Sequence, residues 1–191
     1  MNADENRPHH APAPSAWIER FAHLVPAGAR LLDVAAGSGR HARFFAERGV
    51  HVVAVDRDAD ALTALGHLPG VEARVADLEG AAWPFADECF DAIVVVNYLH
   101  RALFPQLFAA LAPDGALLYD TFASGNEALG RPSNPAFLLH ESELLERARE
   151  RLTIVAFEQG RIDEERPAVV QRLAAVGRAR RWPPSLAIRA D

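Results

Sequence analysis

The sequence predicts a doubly wound α/β domain built on a mostly parallel, seven-stranded sheet whose last strand is antiparallel. Near-continuous apolar segments alternate with segments of helical periodicity, which is typical of a parallel sheet covered on both faces. Only residues 159–167 separate the last two predicted strands, too few for a helical crossover, so this pair should run antiparallel. A chain of 191 residues, half of them hydrophobic, suits one such domain.

The predicted elements follow one another from Ser15, a good N-cap for a first helix in which Trp17, Ile18 and Phe21 recur at helical spacing. The predicted strands span 30–34, 51–55, 71–75, 90–96, 116–121, 152–158 and 168–176. The helices predicted between them span 38–48, 58–65, 103–111 and 141–149, with a turn at 113–115. We expect residues 15–177 to form the domain, residues 1–14 a disordered leader, and residues 178–191 an Arg- and Pro-containing tail.

Composition excludes several classes of function. All 20 basic residues are arginines, which rules out a lysine Schiff base and the lysine of a phosphate-binding P-loop. The net charge of −6 makes a nucleic-acid partner improbable. A lone cysteine, Cys89, cannot form an internal disulfide and suits the cytoplasm. The scattered histidines indicate no metal site, and no apolar run reaches the roughly 20 residues of a membrane span. The oligomeric state is not indicated.

The sharpest motif is the segment LLDVAAGSGRHA at 31–42, where a strand ends, small residues turn the chain and a helix begins. This geometry lets backbone N–H groups approach a ligand closely. Gly37, Gly39 and Ala42 satisfy the dinucleotide fingerprint, and Asp56 lies 19 residues after Gly37, where a ribose-binding acid would sit. A nicotinamide cofactor and S-adenosylmethionine both fit this pattern.

Two further acids favour S-adenosylmethionine. Asp33 precedes the turn, where an anion would lie near the pyrophosphate of a dinucleotide but would suit the ammonium group of a methionine. Asp77 follows the third strand, so acids end three neighbouring strands. An acidic rim suits a positively charged sulfonium cofactor better than a dinucleotide.

The motifs LLDVAAGSGR, VAVD, VADL and FDAIV resemble the successive motifs of class I S-adenosylmethionine-dependent methyltransferases, over roughly residues 15–176. Within that class the chain looks most like small bacterial tellurite-resistance-type and related small-molecule methyltransferases. The resemblance implies a Rossmann-like methyltransferase fold and an enzyme that uses S-adenosyl-L-methionine. The family usually has glycine where this chain has Ala35, which still permits a tight turn.

The resemblance also implies a set of cofactor-binding residues. Those that would line the methionine end are Asp33, Ala35 (through its backbone), Gly37 and Gly39. Those that would contact the adenosine are Asp56 at the ribose hydroxyls, Arg57 beside the adenine, and Asp77 and Leu78 at the adenine edge. Asn97 would stand where the fourth strand opens toward the transferring methyl group.

Residues for the methyl acceptor are predicted from the segments with the least regular pattern. His100 is a candidate general base or substrate ligand, or equally a histidine satisfied by nearby backbone. The long connection 122–140 is expected to fold over the cofactor pocket, with Arg131 and His140 as its polar contacts, unless it is a surface loop packed on its own apolar residues. Both side chains can be cationic, which favours a small anionic or electron-rich acceptor.

The sequence therefore predicts a methyltransferase acting on a small-molecule acceptor. Displacement at a sulfonium methyl mainly requires alignment, so the lack of a catalytic triad is no objection. Methyltransferases of the adenine and glutamine type carry an Asn/Asp-Pro-Pro-aromatic motif at this place, and Asn97 is followed by no prolines, which argues against methylation of nucleic bases or protein glutamine. A nicotinamide-dependent reductase and a non-catalytic S-adenosylmethionine-binding regulatory module are the alternatives.

Overall fold

The computed structural model describes residues 13–163, 166–184 and 186, and it contains the seven predicted strands. The strands are β1 (Arg30–Val34), β2 (His51–Asp56), β3 (Val71–Val75), β4 (Phe90–Val96), β5 (Leu111–Phe122), β6 (Leu152–Ile162) and β7 (Ala168–Gly177). The helices are α1 (Ala16–Phe21), α2 (Arg40–Ala46), α3 (Ala59–Thr63), α4 (Phe104–Ala110) and α5 (Glu143–Arg149). Apart from residues 13 and 14, the predicted leader lies outside the described residues.

The strands form one sheet in the order β3-β2-β1-β4-β5-β7-β6. β1 to β5 are mutually parallel, and β7 is antiparallel to both β5 and β6, which confirms the predicted fold class. The order of the strands reverses between β1 and β4. In open α/β sheets, ligands bind beyond the carboxyl ends of the strands at such a reversal.

A hydrophobic core lies on each face of the sheet. Alternate residues of the strands point to opposite faces, so that Leu31 packs with α1, α2 and α3 while Leu32 packs with α4 and α5. The predicted N-cap of α1 is confirmed, because the hydroxyl of Ser15 accepts a hydrogen bond from the backbone N–H of Trp17 at 3.2 Å. Helices on both faces leave the strand ends as the place for a site.

Several element boundaries differ from the prediction. The predicted turn at 113–115 lies inside β5, which begins at Leu111 and shifts its register opposite Phe90 and Ala92. β6 continues to Ile162, four residues beyond its predicted end. α2 begins at Arg40, because Gly39 before it has the left-handed φ of 75°.

The start of the predicted tail is attached to the domain. The guanidinium of Arg178 donates to the carbonyl of Glu150 at 2.8 Å, and that of Arg180 donates to the carbonyl of Leu24 at 3.0 Å. Among the described residues, no helix combines the length and the hydropathy that a membrane crossing requires.

Candidate functional site

A cavity of about 430 Å³ opens at the carboxyl edge of the sheet, at the reversal between β1 and β4. This volume is within the range of small-molecule sites. Its lining comes from the ends of the five parallel strands and from the connection 122–140: Ala35, Asp56, Arg57, Ala76, Asp77, Leu78, Glu79, Asn97, Tyr98, Leu99, Thr121, Phe122, Pro132 and Phe137. Six of the nine predicted cofactor residues are among them.

The glycine loop at the end of β1 has three residues in the left-handed region. Ala35, Gly37 and Gly39 have φ values of 54°, 52° and 75°. The first of these explains why glycine suits the position of Ala35, since a Cβ is strained there. A Cβ added to Gly37 would meet nothing within 4 Å, whereas one added to Gly39 would overlap the side chain of Leu65. Gly37 thus leaves free space in front of the loop, whereas Gly39 lets the loop pack closely against Leu65.

Asp56, at the end of β2, is joined to that loop. Its Oδ2 accepts a hydrogen bond from the backbone N–H of Gly37 at 2.8 Å, and its Oδ1 accepts one from the N–H of Asp58 at 2.9 Å. A carboxylate has about four lone pairs, so both oxygens can still accept hydrogen bonds from a ligand in the cavity. This is the position of a ribose-binding acid at the end of a second strand.

Asp33 lies in β1 just behind the loop, 1% exposed, and its Oδ2 is buried without a hydrogen-bond partner among the described residues. Burial raises the pKa of Asp33 from 3.8 to about 7, against the opposing effects of the Ala42 backbone N–H and the Arg40 guanidinium. A buried acceptor atom without a partner needs an explanation. Asp33 does not itself line the cavity, so an ammonium group held there could satisfy this atom through a water or after a small shift of the loop.

The cavity wall at the end of β3 is acidic. Asp77, after β3, accepts a hydrogen bond from the N–H of Glu79 at 2.9 Å. The backbone N–H groups of Glu79 and Gly80 lower the pKa of Asp77, and the nearby Arg57 and His100 contribute in the same direction. An ionised carboxylate at this edge can accept a hydrogen bond from an exocyclic amino group such as that of adenine.

The remaining wall is mostly apolar and aromatic. It is formed by Tyr98, Leu99, Phe122, Pro132 and Phe137. Burial raises the pKa of Tyr98, and the nearby carboxylates of Glu79 and Asp77 raise it further. The Tyr98 hydroxyl therefore stays protonated, and because it donates to Glu79, its oxygen is the atom left to accept a hydrogen bond. Asn97 turns the chain into this wall with a φ of 56°, which asparagine tolerates better than most residues.

The three predicted acceptor contacts do not line the cavity. His100 is partly buried beside it, close enough for its charge to act on Asp77. His140 is exposed, and its backbone N–H donates to Glu143 at 3.1 Å. Arg131 is exposed next to Pro132, which does line the cavity. The structure thus brings the connection 122–140 to the cavity through apolar residues and leaves Arg131 and His140 outside it.

On the α1 face of the sheet, Ser15 forms hydrogen bonds with His41 and Asp120, and His41 has a structural role there. The backbone N–H of Ser15 donates to Nε2 of His41 at 3.2 Å, and the Ser15 hydroxyl donates to Asp120 at 2.6 Å. Burial lowers the pKa of His41 to about 3, with a further contribution from Arg40. His41 is therefore a neutral acceptor that anchors the start of α1. The described residues contain no group of three or more metal-ligating side chains.

Comparison with known proteins agrees with this geometry. A methyltransferase domain family matches residues 31–115, from β1 to the first part of β5. The demethylmenaquinone methyltransferase of Renibacterium salmoninarum is 34% identical over 107 residues, which are 50% of this chain and 42% of that protein. The malonyl-[acyl-carrier protein] O-methyltransferase of Pectobacterium atrosepticum is 30% identical over 117 residues, 56% of this chain and 45% of that protein. The chain thus spans less than half the length of these relatives.

The fold has solved counterparts. The crystal structure of TehB from Haemophilus influenzae superposes with a TM-score of 0.70 at 15% identity, covering 84% of this chain and 61% of that one. The matched family segment holds the glycine loop, Asp56, Asp77 and Asn97, while the connection 122–140 lies beyond it. The motifs, the fold and these matches confirm the resemblance to the class I S-adenosylmethionine-dependent methyltransferases, and residues 31–115 are the segment that matches the methyltransferase domain family.

Proposed function

We propose that this protein transfers the methyl group of S-adenosylmethionine to a small, uncharged acceptor with an apolar or aromatic body. The observation that carries the proposal is the division of one cavity into an acidic end, at β2 and β3, and an apolar end, at β4, β5 and the connection 122–140. The two relatives are named for different acceptors. The acceptor must therefore be argued from the cavity.

At the acidic end, the residues of this chain would hold the cofactor through its polar groups. Asp56 would accept hydrogen bonds from the ribose hydroxyls, and Asp77 one from the adenine amino group, with Leu78 and Arg57 beside the ring. Asp33 would satisfy the ammonium group. When bound, S-adenosylmethionine supplies an electrophilic methyl group on a sulfonium.

The charge of this end argues against the nicotinamide alternative. Three carboxylates, Asp56, Asp77 and Glu79, line the cavity against one guanidinium, that of Arg57. A pyrophosphate would be repelled by this set, while a positively charged cofactor would be attracted. The acidic lining therefore supports S-adenosylmethionine over a dinucleotide.

At the apolar end, the residues present can align an acceptor and exclude water. The hydroxyls of Tyr98 and Thr121 can each form a hydrogen bond with it, while Phe122, Pro132 and Phe137 provide apolar contact. The cationic acceptor contacts predicted from Arg131 and His140 are outside the cavity, and Glu79 would repel an anion. These contacts support an uncharged acceptor, and alignment is the main contribution that such a displacement requires.

Cofactor binding is tested by calorimetry with S-adenosylhomocysteine, and with NADH and NADPH as controls. We expect S-adenosylhomocysteine to bind and to stabilise the protein, by about 2.7 kcal/mol at 100 times its Kd, while neither dinucleotide does so. Stabilisation by NADH alone would favour the reductase. A screen of acceptor pools for release of S-adenosylhomocysteine then separates an enzyme from a binding module that regulates a partner.

Acceptor charge is tested with two probes of similar shape, 2-naphthol and 2-naphthoate, added to protein saturated with S-adenosylhomocysteine. We expect 2-naphthol to bind at least about tenfold more tightly, because the anion lacks a cationic partner in the cavity and lies near Glu79. Tighter binding of 2-naphthoate would restore the anionic acceptor class.

We infer in addition that residues 15–177 form the catalytic domain and that the protein acts in the cytoplasm. The single thiol, Cys89, is exposed and free, which is compatible with a reducing compartment. The net charge of −6 and the acidic cavity support a small molecule over nucleic acid as the partner.

A further inference from the structure

The connection 122–140 is a closed loop whose ends are pinned to each other. The backbone N–H of Leu139 donates to the carbonyl of Phe122 at 3.0 Å, and the N–H of Ser124 donates to the carbonyl of Leu139 at 2.9 Å. Between these ends, the loop sends Pro132 and Phe137 to the cavity. Phe137 is 46% exposed, so its ring has no core of its own to hold it.

One side chain from another part of the chain holds the backbone on either side of Phe137. Nη1 of Arg101 donates to the carbonyl of Ala136 at 2.9 Å, and its Nη2 donates to the carbonyl of Leu138 at 2.7 Å. Arg101 follows β4 by five residues and comes two residues after Leu99, which lines the cavity. It therefore connects the cavity wall that follows β4 to the part of the connection 122–140 that carries Phe137.

Arg101 is itself oriented by a buried carboxylate. Its Nε and Nη2 donate to the two oxygens of Glu143 at 2.9 and 2.8 Å, a bidentate pair. Burial raises the pKa of Glu143, but the hydrogen bonds from Arg101, from the His140 N–H and from Arg147 outweigh it and lower the pKa to about 2. Glu143 is therefore charged at every physiological pH and fixes the plane of the guanidinium.

A second side chain holds the other cavity residue of the loop. Nδ2 of Asn126, which is 2% exposed, donates to the carbonyl of Pro132 at 3.0 Å. Its Oδ1 accepts a hydrogen bond from the N–H of Val169, in β7, at 3.1 Å. Pro132 is thus joined to the sheet through Asn126, independently of Arg101.

We propose that Arg101 is a positioning residue for the methyl acceptor, which holds Phe137 over the mouth of the cavity so that the acceptor is gripped against Tyr98. This inference rests on the proposed function, because it assigns the apolar end of the cavity to the acceptor. Arg101 binds neither ligand. It acts by fixing the carbonyls of Ala136 and Leu138, and lysine could not replace it fully, since a single ammonium cannot match the planar fork.

The test compares Arg101→Gln with Arg131→Gln, which removes the same charge from an exposed position of the loop, and with Arg101→Lys. Hydrogen exchange is measured on protein saturated with S-adenosylhomocysteine. We expect exchange of the Phe137 and Leu138 amides to rise at least about tenfold in Arg101→Gln and less in Arg101→Lys, with β4 unchanged. We expect no change in Arg131→Gln.

Binding gives the second measurement. The Kd of 2-naphthol should rise at least about fivefold in Arg101→Gln, while the Kd of S-adenosylhomocysteine stays within about twofold, a split that general destabilisation would not produce. Phe137→Ala, at an exposed position, should raise the 2-naphthol Kd equally and decides the matter if Arg101→Gln does not fold. Unchanged exchange at Phe137, or equal effects of Arg131→Gln, would overturn the inference. Failure of the parent protein to bind S-adenosylhomocysteine would instead overturn the proposed function.

Discussion

Replacing Asp33 with asparagine should make the unliganded protein more stable and its cofactor binding weaker. Asp33 is fully buried, and burial raises its pKa from 3.8 to about 7. At about 1.36 kcal/mol for each pKa unit, ionised Asp33 lowers the free energy of unfolding by about 4 kcal/mol above pH 7. An unpartnered amide in its place costs about 1–3 kcal/mol, so Asp33→Asn should gain about 1–3 kcal/mol at pH 8.

The pH dependence gives the sign of the effect. Because the folded-state pKa lies above the unfolded value, the penalty is absent below about pH 4, grows as the pH rises, and is complete above about pH 7. The advantage of Asp33→Asn should therefore be about 2–3 kcal/mol larger at pH 8 than at pH 5. Asp114→Asn, at an exposed turn-like position of β5, is the matched control and should show no such difference.

Urea unfolding at the two pH values measures the stability, and calorimetry with S-adenosylhomocysteine measures the binding. If Asp33 meets the ammonium group, Asp33→Asn should weaken binding by about 1.5–3 kcal/mol, or about 10- to 150-fold. A variant whose stability relative to the parent does not change with pH would show that burial does not raise the pKa of Asp33. A variant with parental affinity would remove Asp33 from the cofactor site.

Asp56→Ala should reduce the affinity for S-adenosylhomocysteine by about 1.5–3 kcal/mol in calorimetry, because it removes the proposed ribose acceptor and leaves the N–H of Gly37 without its partner. Asp60→Ala, which removes an exposed acid, should leave the affinity intact, and equal Kd values for the two variants would refute the assignment. Gly39→Ala should lower the melting temperature more than Gly37→Ala, since only the former overlaps Leu65, while Gly37→Ala adds about 1–2 kcal/mol of backbone strain and narrows the space before the loop. The reverse order of melting temperatures would contradict the packing described for the loop.

The strands could be predicted because each is encoded locally. Apolar runs such as that of β4 specify a buried strand wherever they occur, and the short span before β7 dictates its direction. The start of β5 could not be predicted, because Pro113, Asp114 and Gly115 form a strong turn signature. The sheet accommodates them through the register shift opposite Phe90 and Ala92, a pairing that depends on a segment 20 residues away.

The acidic end of the cavity could be predicted from local sequence in the same way, whereas the apolar end could not. Asp56 and Asp77 were predictable because a residue that directly follows a parallel strand must lie at the carboxyl edge of the sheet. Within the loop 122–140, by contrast, backbone carbonyls are held by the side chains of Arg101 and Asn126, and local pattern does not reveal such contacts. The sequence therefore indicated the loop but not which of its residues face the cavity. Glu79 could have been predicted to line the cavity, since it follows Asp77 by two residues.

The position of β7 between β5 and β6 sets an order of assembly. β1 to β5 can pair with one another, but β6 borders only β7 in the described sheet. The connection 122–140 is hydrogen-bonded to β7 through Val169. β6 and β7 are synthesised last, so their part of the sheet can form only after β1 to β5 have left the ribosome. A chain emerging from the ribosome could thus pair β1 to β5, whose ends carry the proposed cofactor residues, before β7 holds the connection 122–140. A chain interrupted before β7 would contain every residue that lines the cavity, but Asn126, and through it Pro132, would lack the contact that joins them to the sheet.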